Sequence, residues 1–159
     1  MSSKIPILIP LTGMANFLGV IGIISSLVFV AIELQQNQKI ALANARQDRT
    51  NTTIANFDAF TTASLDWQSF MLDNDLSYDY SKDLIARRNT YHLSWFLFEN
   101  DYFQYTQGLM DEDFWEAKKR AFQDWYNRCD LRNLYESRSR YMPDGFTALM
   151  SSFPDECSD

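Results

Sequence analysis

The sequence predicts an all-α protein. A transmembrane helix near the amino terminus runs into a long juxtamembrane helix, and three to four further helices pack with it in a small helical domain. Three observations predict this. One apolar stretch is long enough to cross a bilayer, the segments after it repeat their apolar residues at helical spacing, and no run alternates with the period of a strand. The 159 residues suffice for one core but not two. With a formal charge of −7, clustered cations for a phosphate backbone are lacking, so nucleic acid is not an expected partner.

The first element rests on 28 consecutive uncharged residues between Lys4 and Glu33. Pro6 and Pro10 each lack a backbone N–H and disfavour helix before them, which sets residues 1–11 apart as an N-terminal segment. Thr12 is the expected N-cap of a helix over residues 12–34. Such a helix is about 34 Å long, enough to span a bilayer with little tilt. A cleaved signal peptide fits poorly, because its basic region would be Lys4 alone and no small residues mark a cleavage site.

Lys39, Arg46 and Arg49 follow the span, while Lys4 and the α-amine precede it. The positive-inside rule then expects an outward amino terminus and a cytoplasmic domain at the inner membrane. Cys129 and Cys157 have neither CxxC spacing nor a neighbouring histidine, and read as free thiols in a reducing compartment.

The helical domain is expected over residues 35–154. Its first helix, residues 35–73, contains no Gly or Pro and weakens only at residues 50–53, where threonines and Asn51 lower propensity. A polar break follows, with Tyr78 and Tyr80 placed at a surface contact. The central helix covers residues 81–107, capped by Ser81, with Gly108 suited to the left-handed closing position. A third helix over residues 111–129 is capped by Asp111, with Glu112 and Asp113 in its positive first turn. Its buried face is read as Phe114, Trp115, Ala121, Phe122, Trp125 and Cys129. Short helices over residues 131–141 and 143–153 complete the domain, Pro143 suiting a first helical position. Residues 155–159 read as a loose acidic tail.

Two stretches carry a resemblance: GVIGIISSLVFVAIELQQN from Gly19 to Asn37, and FENDYFQYTQGL from Phe98 to Leu109 with Asp111, Trp115 and Glu116 beyond it. They resemble a family of small bacterial single-span membrane proteins, over about residues 13–153. That resemblance implies the anchor and the helical domain, and it supplies no catalytic residue.

Candidate functional residues fall into three groups. Ala15, Gly19, Gly22 and Ser26 follow at i, i+4, i+7 and i+11, a small-residue face of the kind that lets spans associate. His92 and Glu99 share one face of the central helix as a candidate buried polar pair, with Arg46, Arg87, Arg88, Arg138 and Arg140 as possible counter-ions. Read as an acid/base pair, they are the only enzymatic arrangement the sequence suggests. Trp95, Tyr102, Tyr105 and Trp125 could line an aromatic pocket, against the simpler reading that they fill the core. No nucleophile motif, metal-ligand spacing or cofactor loop occurs.

The expected function is therefore a membrane-anchored, non-catalytic interaction or regulatory module. It associates with itself or with another membrane protein through the span. A sensor of a small apolar ligand or lipid is the alternative, and an enzyme using His92 and Glu99 ranks behind both.

Overall fold

The computed structural model describes residues 11–157, with side chains from Gly13 onward. Helix α1 spans Leu11–Thr62, a π-helical turn covers Ser69–Asp73, and helix α2 spans Lys82–Thr106. Helix α3 covers Glu112–Tyr126, a 3₁₀ turn covers Cys129–Leu131, and helices α4 and α5 cover Arg132–Ser139 and Asp144–Ser151. Among the described residues there is no strand, so the protein is all-α. The chain divides into two compact units, Met1–Leu42 and Ala43–Asp159.

In the first unit, every described side chain from Gly13 to Leu42 is exposed. Phe17, Leu27 and Phe29 are each about two-thirds accessible. A helix this apolar and wholly uncovered is long enough to cross a membrane. It begins at Leu11, so Thr12 lies inside the helix and not before it; the Thr12 side chain and residues 1–10 lie outside the described residues.

In the second unit, α1 contributes Ala43, Thr50 and Phe57, buried at seven-residue intervals, with Arg46, Thr53 and Phe60 half-buried three residues after each. This 3–4 spacing is one face of a helix turned to a core. The expected weakening at residues 50–53 does not break the helix. The hydroxyls of Thr50, Thr52 and Thr53 donate back to the carbonyls of Arg46, Asp48 and Arg49, satisfying themselves without competing for a turn.

The long helix was expected to reach residue 73, and it stops at Thr62 instead. Ser64 adopts a left-handed conformation (φ 55°) and the Leu65 N–H reaches back to the Phe60 carbonyl. The Asp66 carboxylate then accepts from the Ser69 N–H at 2.9 Å, opening the next turn as a cap does.

Helix α2 has the Ser81 cap, accepting from the Leu84 N–H. It ends in a Schellman closure: Gly108 N–H bonds the Tyr105 carbonyl, Leu109 N–H bonds the Gln104 carbonyl, and Gly108 has φ 71°. Asp111 caps α3 through the Phe114 N–H at 2.8 Å.

Helix α3 ends at Tyr126, short of the expected residue 129, because the chain turns into the 3₁₀ segment that begins at Cys129. Its expected face is also corrected. Phe114 is 52% exposed and Ala121 and Cys129 face outward, while Trp115, Phe122 and Tyr126 are buried. The buried three recur at i, i+7 and i+11, and Phe114, about 100° round the helix from Trp115, cannot join them. Pro143 precedes α5 as its N-cap and Asp144 is the first helical residue.

The core is aromatic. Trp95, fully buried, packs against Tyr91, Phe98, Tyr135 and Phe146 from α2, α4 and α5. Phe122 from α3 lies 4.7 Å from Phe98, and Trp115 stacks on Tyr105 at 4.1 Å. Gly145 lies close under Tyr102, and a Cβ on it would run into the Tyr102 hydroxyl unless that ring shifted.

Candidate functional site

Helix α2 carries two chemically different faces. Tyr91, Trp95, Phe98, Tyr102 and Tyr105 turn to the aromatic core. Arg88, Asn89, His92, Phe96, Glu99 and Asn100 form the other face, which meets the Ala43–Thr62 part of α1, the turn after it and Arg138 of α4 through polar contacts.

The first contact joins Arg88 and Asp66. The guanidinium grips the carboxylate with two bonds, Nε to Oδ1 at 2.7 Å and Nη2 to Oδ2 at 3.1 Å. Ser69 donates to the same carboxylate from both its N–H and its hydroxyl. Burial pushes the Asp66 carboxyl up, but these bonds outweigh it and hold it below its ordinary value. Tyr80 lies over the Arg88 guanidinium at 4.6 Å and stacks on Tyr78, whose hydroxyl accepts from the Asp66 N–H at 2.9 Å. Tyr78 and Tyr80 are thus fastened to the ion pair, Tyr78 half-buried and Tyr80 exposed at the surface. Sequence reading missed Asp66 entirely. Its only local signal was an Asp three residues before Ser69.

The second contact joins Glu99 and Arg138, which selects one arginine of the five considered. The Arg138 guanidinium also lies over the Phe96 ring at 3.5 Å and donates to the His92 carbonyl at 3.4 Å. Burial raises the Glu99 carboxyl and lowers Arg138 to about 10, each offset in part by its partner. Around this pair, Asn100 donates to the Gln47 side chain at 3.0 Å and Arg46 lies over Phe103. Asn89 accepts from the Trp67 N–H and donates to Thr61 and the Leu65 carbonyl.

His92 and Glu99 share the face expected of them but have different partners. Glu99 takes Arg138, and the His92 ring packs on Trp67 with centroids 4.8 Å apart. Neither His92 nitrogen has a hydrogen-bond partner among the described residues, and the side chain is fully buried. Burial, and secondarily Arg138, lowers its pKa to about 3, so it is neutral at physiological pH. The His92 ring is thus closed off from solvent and neutral, while the Glu99 carboxylate is held by Arg138. Among the described residues, no group of three or more His, Cys, Asp or Glu could hold a metal.

The expected aromatic pocket is corrected too. Trp95 is fully buried, Tyr105 is stacked on Trp115, Trp125 on Tyr91, and Tyr102 packs against Trp115 and Phe146. These rings fill the space between four helices with one another. An open cleft of about 270 Å³ lies elsewhere, lined by Thr52, Thr53, Asn56, Phe57, Trp67, Met71 and Phe96. Its aromatic lining is close-set, Phe57 standing 5.1 Å from Trp67 and 5.6 Å from Phe96.

The free thiols of the sequence reading are overturned. Cys129 and Cys157 form a disulfide, with Cα atoms 5.2 Å apart. The acidic tail is consequently fastened through residue 157. Asp155 receives two bonds from Arg132, at 3.0 and 2.9 Å, and Asn127 bonds the Pro154 carbonyl and the Glu156 N–H. The even cysteine number permitted this pairing. A separation of 28 residues, without any motif, could not specify it.

In the span, Ala15, Gly19, Gly22 and Ser26 are all exposed, and a Cβ added at Gly19 or Gly22 would meet nothing within 4 Å. Comparison with family models, curated proteins and solved structures finds no match to this chain.

Proposed function

We propose that this protein is a single-span membrane anchor carrying a non-catalytic helical interaction module, seated in a bacterial inner membrane and self-associating or pairing with another membrane protein through its span. The observation that carries this reading is the helix from Gly13 to Leu34, apolar and uncovered on every side. In water such a surface would be strongly penalised, whereas hydrocarbon accepts it. The open Gly19 and Gly22 face supports association, because close backbone approach drives helix pairing in lipid. The closed state of His92 and Glu99 supports a role other than acid/base catalysis. The charge count by itself favours a cytoplasmic domain; the Cys129–Cys157 bond weighs against that side.

Crosslinking in native membranes tests the reading. The wild-type chain is expected to give a discrete adduct that Gly19→Leu and Gly22→Leu weaken. Adducts unchanged in both variants would remove the seam.

The cleft between Thr52 and Phe96 favours a second reading, a binder of a small apolar molecule. It predicts that 4-ethylphenol shifts the fluorine resonance of 5-fluorotryptophan at position 67 in nanodisc-held protein, and that Thr53→Trp, which fills the cleft, abolishes the shift. No shift in the wild type ends this alternative.

A further inference from the structure

The tail clasp bears on which side of the membrane the domain occupies. Cys129 is exposed and Cys157 half-exposed, so the bond between them lies at the surface and not in the core. A surface disulfide in the cytosol stands open to the reducing thiol pool, whereas in an oxidising compartment it persists. The two cysteines also meet through contacts that owe nothing to sulfur. Arg132 grips Asp155 with two bonds and lies over the Tyr126 ring at 3.7 Å. Asn127 fixes Pro154 and Glu156, and the Cys157 N–H bonds Asp155. The tail is thus in register across the α3–α4 corner on four polar bonds besides the sulfur bridge, and the fifth, within the tail, orients Cys157.

We propose that the helical domain folds on the non-cytoplasmic, oxidising side of the membrane, with the amino terminus in the cytoplasm, so that the partner of the domain is an extracytoplasmic one. This rests on the anchor reading above and reverses the side that the charge count favoured. That count is weak here for a physical reason. The bias operates through short loops, and long domains translocate largely regardless of charge. The segment after the span leads into a unit of more than 100 residues that begins at Ala43, and the count on that side rests on three residues, Lys39, Arg46 and Arg49, at 5, 12 and 15 residues beyond Leu34, against Lys4 and the α-amine on the other.

Closing the clasp removes two electrons and two protons from the two thiols. The acceptor is a protein disulfide of the thiol-oxidoreductase class. One cysteine thiolate attacks an oxidant sulfur, and the oxidant's other sulfur leaves as a thiolate that takes up a proton. The second cysteine, as thiolate, then attacks the mixed disulfide at this chain's sulfur. It expels the remaining oxidant thiolate, and the oxidant departs as a dithiol.

The test uses the full chain in spheroplasts. Cells are quenched with acid, denatured and treated with a polyethylene-glycol maleimide, with and without prior reduction. The expected result is no adduct before reduction and two after it, and cleavage of the domain by protease added outside intact spheroplasts. Two adducts without reduction overturn the proposal, and so does a domain protected until the membrane is permeabilised. Carbonate washing of the same membranes separates the two claims. Release of the chain into the wash sinks the anchor reading, while an alkylated but membrane-retained chain sinks only the sidedness.

Discussion

At the residue scale, the informative side chains are the buried polar ones of α2. His92 has a folded-state pKa of about 3 against an ordinary 6.5. As pH falls through 6.5, the unfolded chain takes a proton that the native chain refuses. Stability therefore declines by about 1.4 kcal/mol per pH unit from this group, from pH 6.5 down to about 3. His92→Leu is expected to remove that slope, and at pH 7.5 to leave stability unchanged or higher, since an unbonded buried imidazole costs about 1–3 kcal/mol. Urea unfolding at pH 4.5, 5.5 and 7.5 measures both; a parallel slope in the variant would contradict it. Arg138→Ala strands Glu99 and is expected to cost about 3–5 kcal/mol, whereas Arg138→Met with Glu99→Leu should recover most of the loss. That Arg138 is the arginine bonded to Glu99 was not legible in the sequence. Five arginines were eligible, and the choice is made by where α4 lies on α2.

At the element scale, helix ends that a local side chain controls were readable. Ser81 and Asp111 cap the helices expected of them, because a cap needs only its own hydroxyl or carboxylate and an N–H three residues on. Gly108 closes α2 because a side chain resists φ 71°. Gly108→Ala is expected to cost about 1–2 kcal/mol, read as a lower midpoint in urea with unchanged m-value. The end of α1 was unreadable for the opposite reason. Nothing near Thr62 in the sequence forbids helix, and the stop is held by Asp66 meeting Arg88, 22 residues away.

At the scale of the whole molecule, the clasp joins Cys157 to the α3–α4 corner across 28 residues. Closing a loop of that length constrains the unfolded chain by about 3–4 kcal/mol in the chain-entropy account. Cys129→Ser with Cys157→Ser is expected to lower Tm by on the order of 10 °C. Calorimetry of the full chain in nanodiscs, oxidised against reduced, checks this, and an unchanged Tm would leave the tail fastened by Arg132 and Asn127 alone. The aromatic core sets the other limit on this scale. The rings read as either core or pocket are core, because four helices bring enough of them together to leave one another no opening.

The sequence by itself determined the class of the protein: an all-helical chain with one helix long and apolar enough to cross a membrane. Those properties follow from chain-local periodicity, capping chemistry and apolar length, which act within a few turns of backbone. Only the tertiary structure decided which arginine answers which carboxylate, that His92 is closed off and neutral, that the cysteines are joined, and where open space lies. Each of these depends on atoms brought together from more than 20 residues apart, and side-chain spacing along one helix carries no information about what packs against it.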